Sequence, residues 1–278
     1  MVSEQLQKKI DRAVRLIRST VGDKVVEVSY SGGKDSDVIL ELTKMSGVKY
    51  RAIYKNTTVD PKGTLQHCRE NGVEILYPKT PFYKLVEKKG IPSRFSRFCC
   101  SELKEYKVLD IAIQGIRRCE STARAKRYKS SDPVICRNYS KKDHVNVILP
   151  ILDWSDNDVL AFITDRGIKL HPLYYDKHGK IVVQRRLGCI GCPLAIKNAV
   201  QDFKENPRHL KAILRAAGKF LETHPKSVSR RLFKNEYEMF VQRYFFDDIT
   251  GFQNSIYGSV NVVDCKAAME DFFKVKFD

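Results

Sequence analysis

Two sets of residues in this 278-residue chain combine types and spacings that could do chemistry. The first is Ser31-Gly32-Gly33-Lys34-Asp35-Ser36. Two adjacent glycines let the backbone approach an anion with no Cβ in the way. If a helix starts here, its free N–H groups and dipole favour negative charge. Ser31 and Ser36 add hydroxyl donors and Lys34 a point charge. Asp35 could cap the helix or help hold Mg²⁺ on phosphates. The spacing is neither G-x-x-x-x-G-K-[ST] nor G-x-G-x-x-G, so two familiar phosphate motifs are excluded. The second set is cysteine. Cys189-Ile-Gly-Cys192 is a C-x-x-C flanked by small residues, and Cys99-Cys100 supplies two more thiols far away in sequence. Four thiolates suit Zn²⁺ or an iron–sulfur cluster, and spacing alone does not choose between them. A redox C-x-x-C would open a helix in a thioredoxin-like unit, which this one does not.

Elements must position these groups. Residues 24–30 are apolar and β-branched and read as a buried strand. In residues 35–45, Val38, Leu42 and Met45 recur at helical spacing. Residues 50–55, 73–77, 109–116 and 145–152 read as further strands, and 64–71 and 82–88 as helices. The alternation predicts an α/β fold, a doubly wound parallel sheet of about five strands with helices on both faces. Residues 155–166 form a helix with Ser155 as N-cap and Asp156 and Asp158 in the first turn. Leu6, Ile10, Val14 and Ile17 share one face of an N-terminal helix. Residues 195–220 and 234–246 read as basic, aromatic-rich helices. The expected division is a nucleotide-binding α/β domain over 1–180 and a C-x-x-C segment with a helical C-terminal extension over 181–278.

Composition narrows the partners. Fifty Lys and Arg against 33 Asp and Glu give a net charge of +17, which points to a polyanion such as nucleic acid. No apolar run approaches the ~20 residues of a membrane span. The first residues lack the apolar core of a signal peptide, so a cytoplasmic location is expected. Eight cysteines there favour metal or thiol chemistry over disulfides.

Six segments together resemble the phosphoadenosine phosphosulfate reductase family of the PP-loop superfamily. They are SGGKDS at 31–36, YKNTTVDP at 54–61, FCCSELK at 98–104, GIRRCESTARAKR at 115–127, WSDNDVLAFI at 154–163 and RRLGCIGCPLA at 185–195. The resemblance implies an adenine-nucleotide α-hydrolase-like sheet. It implies that residues 31–36 hold phosphates, with Thr57, Thr58 and Asp60 near the nucleotide. Gly115, Arg117, Glu120, Ser121 and Arg124 match a G-x-R-x-x-E-S-x-x-R pattern beside the substrate. Glu120 and Arg124 are equally spaced for an ordinary i,i+4 surface ion pair, worth a few tenths of a kcal/mol. Cys119, inside this segment, is a candidate sulfur-carrying nucleophile. Assimilatory reductases of the family use a Cys-Cys plus C-x-x-C set for a [4Fe-4S] cluster. Cys99, Cys100, Cys189 and Cys192 match it, with zinc as runner-up. Arg94, Arg97, Lys104, Arg185 and Arg186 would offset the cluster's negative charge.

Two departures separate the chain from a reductase. The late Cys265 lacks the Glu-Cys-Gly context of the reductase nucleophile, and the phosphate loop is intact where reductases have a degraded one. Both favour an ATP pyrophosphatase that cleaves ATP between the α and β phosphates with Mg²⁺. Lys34, Asp35, Arg117 and Cys119 are its candidate catalytic residues. The DNA phosphorothioation members resemble the chain best. They imply DNA ahead of tRNA as acceptor, and a cysteine desulfurase or other donor for the sulfur. The alternatives are a phosphosulfate reductase producing sulfite and a non-catalytic nucleotide- and cluster-binding subunit.

Overall fold

The computed structural model describes residues 3–129, 132–140, 142–244, 253–255, 258–260 and 264–277. Strands β1 (Val25–Tyr30), β2 (Lys49–Lys55), β3 (Glu74–Leu76), β4 (Ile111–Ile113), β5 (Val134–Asn138) and β6 (His144–Ile148) build one sheet. A separate hairpin pairs β7 (Gln253–Ser255) with β8 (Gly258–Val260). The helices are α1 (Glu4–Val21), α2 (Lys34–Ser46), α3 (Thr64–Glu70), α4 (Phe82–Lys89), α5 (Phe98–Leu103) and α6 (Thr122–Arg127). They continue with α7 (Asp156–Arg166), α8 (Ile196–Glu205), α9 (Pro207–Thr223), α10 (Val228–Leu232), α11 (Glu236–Tyr244) and α12 (Cys265–Phe273).

The main sheet has the order β3-β2-β1-β4-β6-β5. Val28 of β1 lies opposite Ala52 of β2 and Ile113 of β4, both in parallel pairing. Ala112 lies opposite Val147 of β6, also parallel. The five expected strands are thus present and parallel. A sixth, β5, was not expected and pairs antiparallel with β6, Cys136 opposite Asn146. The chain leaves β1 toward β2 on one side and returns to β4 on the other. That makes the C-terminal ends of β1 and β4 the switch point where open α/β sheets bind ligands.

Contacts group the chain into two units. The first comprises residues 1–56, 61–77 and 105–188, and the second 57–60, 78–104 and 189–278. A single cut between 180 and 181 does not reproduce this division, because 57–60 and 78–104 belong with the C-terminal part. The first unit's core joins Val26, Val28 and Ile113 of the sheet to Ile39 and Leu42 of α2 and Ile10 and Ile17 of α1. Each such buried aliphatic side chain is worth about 1.5–3 kcal/mol relative to exposure. Helix α1 starts where Ser3 Oγ accepts from Leu6 N, and buries Leu6, Ile10, Ala13, Ile17 and Val21 at helical spacing. Helix α7 starts with the expected Ser155 cap, Oγ accepting from Asp158 N at 3.1 Å.

The second unit has its own core, including Phe203 of α8, Ile213 of α9, Phe240 of α11 and Met269 of α12. The helix expected over 195–220 is two helices that meet at Asn206-Pro207, because Pro lacks the N–H that would continue the first and is favoured at the start of the second. The helix expected over 234–246 is α11, and residues 245–246 lie outside the described residues. Among the described residues no helix is long and apolar enough to cross a membrane.

Candidate nucleotide site and thiol cavity

In the first unit, β1 ends at Tyr30 and the chain turns through Gly32 at φ +76°. Only glycine adopts that backbone readily. Gly33 is the N-cap of α2, so Lys34, Asp35 and Ser36 occupy its first turn. Ser36 N and Oγ both donate to Gly33 O, at 2.8 and 2.6 Å. Ser31 Oγ donates to Ser36 Oγ at 3.3 Å. The turn is therefore cross-braced before any ligand arrives. It opens on a polar cavity lined by Ser31, Gly33, Lys34, Asp35 and Ser36, and opposite them by Gly115, Glu120, Arg124, Tyr174 and Arg186.

A chain of alternating charges runs through this site. Lys34, 3% exposed, places Nζ 3.2 Å from Asp35 Oδ2. Asp35 Oδ1 accepts from Arg117 Nε at 2.7 Å, and Arg117 Nη2 reaches Asp156 Oδ1 at 2.8 Å. Burial works against the charge of Arg117, but Asp35, Asp156 and Cys119 outweigh it and raise its pKa. Arg117 is itself 1% exposed and does not line the cavity, so it acts on a ligand only through Asp35. Glu120 is ion-paired with Arg124 and also accepts from Arg186 Nη2 at 3.1 Å. Burial, followed by the neighbouring Arg186, lowers the Arg124 pKa. Two guanidiniums share one carboxylate, which leaves this wall receptive to an anion. The requirement at Gly115 is steric. A Cβ there would lie 2.8 Å from the Asp35 carbonyl oxygen.

Several expected residues sit elsewhere. Ser121 caps α6, its Oγ accepting from Arg124 N. Cys119 is exposed. Its Sγ accepts from Arg117 Nη1 at 3.1 Å and donates to the Trp154 carbonyl at 3.3 Å. It is not among the cavity's lining residues. Thr57, Thr58 and Asp60 belong to the second unit, and none lines the polar cavity. Arg186, expected to offset a cluster, instead pairs with Glu120. Arg185 donates to the carbonyls of Leu173 and Tyr175.

One buried network was missed from sequence. Asp37 accepts from the Tyr30 hydroxyl and from His67 Nε2 at 3.0 Å. Burial raises the Asp37 pKa against the pull of His67 and Tyr30. The network ties β1, α2 and α3 together beneath the turn. Tyr174, whose hydroxyl accepts from Leu187 N at 3.2 Å, also went unseen. No local pattern marks an aromatic brought in from 140 residues away.

In the second unit, one largely apolar cavity is lined by all four expected cysteines together with Thr57, Val59, Phe82 and Lys104. Helix α5 presents Cys99 and Cys100, and the turn at Gly191 (φ +65°) presents Cys189 and Cys192. A Cβ at Gly191 would strike the Phe203 ring at 2.4 Å. Thr57 Oγ1 lies 3.5 Å from Cys189 Sγ and donates to Asp60 Oδ2 at 2.6 Å. The Cys99 pKa is pushed up by its hydrogen bond to Cys100, then by burial and the other thiols. Burial raises that of Cys189, opposed by Lys104. Lys104 bonds to Cys189. Burial works against its charge, yet Cys189 and Asp60 raise its pKa above the usual lysine value. The donor set of four soft thiols with one adjacent cation fits a thiolate-ligated centre. As the side chains stand, no group of three or more His, Cys, Asp or Glu among the described residues is arranged to hold a metal ion. Cys265 is buried in this unit's core.

A glycine turn between strand and helix at the switch point of a mostly parallel sheet defines an α/β fold of the PP-loop, adenine-nucleotide-binding type. More narrowly, the chain belongs to the phosphoadenosine phosphosulfate reductase domain family, whose profile matches residues 25–195. It is 29% identical over 219 residues to an uncharacterized protein of Methanocaldococcus jannaschii, covering 73% of this chain and 50% of that one. It is 34% identical over 145 residues to an uncharacterized protein of Escherichia phage 186, covering 47% and 40%. Sulfate adenylyltransferase subunit 2 of Shewanella pealeana is 23% identical over 217 residues, covering 64% and 69%. The chain thus spans half or less of the length of the first two of these relatives. Among solved structures, the phosphoadenylyl-sulfate reductase of Candida auris in a phosphate complex is similar at TM-score 0.45 and 15% identity, covering 66% of this chain and 98% of that one.

Proposed function

We propose that the chain is an ATP pyrophosphatase that adenylylates an oxygen of its acceptor and prepares it for sulfur transfer. The observation that carries this reading is the intact, cross-braced Ser31–Ser36 turn. It opens on a cavity whose far wall holds Arg124 and Arg186. An acceptor oxygen attacks the α-phosphorus of ATP and the bond to the β-phosphate oxygen breaks. Pyrophosphate leaves against the N–H groups of α2, Lys34 and the two guanidiniums, which face the developing charge. For that, Lys34 exchanges Asp35 for phosphate. The Asp35 carboxylate, still oriented by Arg117, then becomes free to hold Mg²⁺, an oxygen-seeking ion. A sulfur donor such as a cysteine desulfurase, with a thiol reductant that supplies two electrons to release its persulfide sulfur, provides the sulfur that displaces AMP; AMP departs with the acceptor oxygen.

The acceptor we favour is nucleic acid, DNA ahead of tRNA, in the cytoplasm. The net charge of +17 supports it, because phosphate contacts supply most non-specific affinity. Cys99, Cys100, Cys189 and Cys192 would hold a [4Fe-4S] cluster, or zinc as second choice. Such a cluster supplies redox chemistry close to sulfur, and Lys104 would offset its charge. Cys119 is the sulfur carrier in this reading, supported by its exposure and by the Arg117 guanidinium 3.1 Å from its sulfur.

The similarity to sulfate adenylyltransferase subunit 2 favours one other acceptor, a sulfate oxygen, for the same first step. A sulfite-producing reductase is less favoured, because the late Cys265 is buried and cannot reach a substrate without local opening. The test is pyrophosphate release from Mg-ATP with DNA, tRNA or sulfate added in turn, alongside iron, sulfide and zinc analysis of anaerobically purified protein. Release stimulated by DNA is expected. An absence of both ATP binding and pyrophosphate release with every acceptor would sink the reading.

A further inference from the structure

In the second unit, the segment between α4 and α5 ends in an unusual display. Phe95 is 99% exposed. Leaving an aromatic ring in water forgoes a large apolar burial. The ring does not dangle from a loose strand. Ser93 N donates to Ser96 O at 3.1 Å, and Ser96 N donates back to Ser93 Oγ at 3.1 Å. Ser93 and Ile91 are buried on the near side, and Phe98 packs partly into the second core on the far side. A braced turn therefore holds Arg94 and Phe95 out into solvent.

Along the sequence, the charges flanking the ring are of one sign. From 88 to 97 the sequence KKGIPSRFSR holds four basic residues and no acidic one. Lys89 is paired with Glu102. Lys88, Arg94 and Arg97 are exposed and have no ion pair among the described residues. The same segment runs directly into Cys99-Cys100. A rigid exposed ring flanked by unpaired cations matches the single-strand recognition mode, in which aromatics stack on bases while Arg and Lys follow the phosphates. A protein partner of ordinary composition would not need three free cations around one ring. A duplex buries its base faces and offers the ring nothing to stack on.

We infer that Phe95 is a stacking platform for an unpaired base of single-stranded DNA, with Arg94 and Arg97 on the adjoining phosphates. The assignment rests on the nucleic-acid reading above and locates the strand at the thiol end of the second unit.

The chain has one tryptophan, Trp154, and it is 3% exposed. Phe95→Trp therefore adds a reporter against a constant background. Oligo(dT) is expected to quench the emission of Phe95→Trp and to leave that of the unaltered chain nearly unchanged. By fluorescence anisotropy, Phe95→Ala is expected to weaken oligo(dT) binding roughly 5- to 100-fold. Arg94→Ala with Arg97→Ala is expected to flatten the salt dependence of binding. Circular dichroism confirms that each variant is folded. The inference falls if Phe95→Trp emission ignores oligo(dT), if oligo(rU) quenches it and oligo(dT) does not, or if duplex DNA binds as tightly and with equal dependence on Phe95. It also falls if Phe95→Ala changes only the sedimentation of the protein, which would make the ring a contact with a second copy. Binding is read without ATP. A chain that stacks the oligonucleotide yet releases no pyrophosphate overturns the proposed reaction and not this surface, and the converse holds equally.

Discussion

The phosphate turn and the thiol cavity are each built around a glycine at positive φ, yet they are prepared differently. In the turn, every charge already has a partner: Lys34 with Asp35, Asp35 with Arg117, Arg117 with Asp156. On the proposed reading, a nucleotide need only exchange one contact for another. In the cavity, the hydrogen bond to Cys100 and burial push the Cys99 pKa up, burial raises that of Cys189, and among the described lining residues Lys104 supplies the one cation. Thiols bind metals as thiolates, so on the proposed cluster reading this site would lose protons as it is loaded. One region has its charges paired in advance by the fold, and the other would, on the proposed reading, be completed by its ligand.

The largest expected effect tests the first half of that contrast. Lys34→Ala removes the ammonium proposed to face departing pyrophosphate while leaving the glycine turn and its serine braces in place. Pyrophosphate release should fall about 10²- to 10³-fold, the usual cost of one charge-stabilising donor. Iron or zinc content should stay as in the unaltered protein. A loss of only a few-fold would mean that the turn binds ATP without driving its cleavage.

The next effect is on stability. Arg117→Met roughly keeps the volume of the side chain and leaves Asp35, whose side chain is 16% exposed, with Lys34 as its remaining cation. Breaking a pair of this kind is costly because a largely buried charge loses part of its compensation. A drop of about 2–4 kcal/mol in unfolding free energy is expected, discounted for the half-exposed Asp156. Asp35→Asn in the Arg117→Met background should recover part of it. Additive losses in the double variant would show that the bridge is incidental and that the turn is held by its backbone alone.

How much of this was legible in the sequence differs between the two regions for the same reason. The turn is local. Apolar strand, Gly-Gly and helix-spaced Val38 and Leu42 lie within twenty residues, so strand, turn and helix were readable together. The sheet's parallel strands were readable from their β-branched runs. Strand β5 was not, since Val134–Asn138 lacks clean alternation and pairs on one edge only. The four cysteines were readable as a set by type. Thr57 and Asp60 beside Cys189, or Arg186 beside Glu120, are products of long-range packing, and no spacing encodes them. The interleaving of 57–60 and 78–104 with the C-terminal helices has the same origin. Hydrophobic periodicity says that a helix has a buried face, without saying which core receives it.

The smallest effect sharpens the contrast by pH, through a histidine in the second unit's core. His209 is 7% exposed. Its ring stacks on Phe203 with centroids 5.4 Å apart, and Nδ1 lies 2.6 Å from the Tyr83 hydroxyl. Burial lowers its pKa from 6.5 to about 4, against a smaller opposing contribution from the Ile190 backbone. The unfolded chain therefore takes up a proton near pH 6.5 that the folded chain refuses until about pH 4. Folded-state pKa below unfolded means that the stability is fully present above pH 6.5 and is lost as pH falls toward 4. The slope is at most about 1.4 kcal/mol per pH unit. His209→Gln keeps an acceptor for the Tyr83 hydroxyl and removes the titration. Subtracting its thermal midpoints from those of the unaltered chain between pH 7 and pH 4 cancels the carboxylates common to both. The difference should shrink steadily as the pH drops, because only the histidine chain loses this contribution. A difference that stays constant across the window would mean that His209 is protonated in the folded core, and that the second unit is less dry than its packing implies.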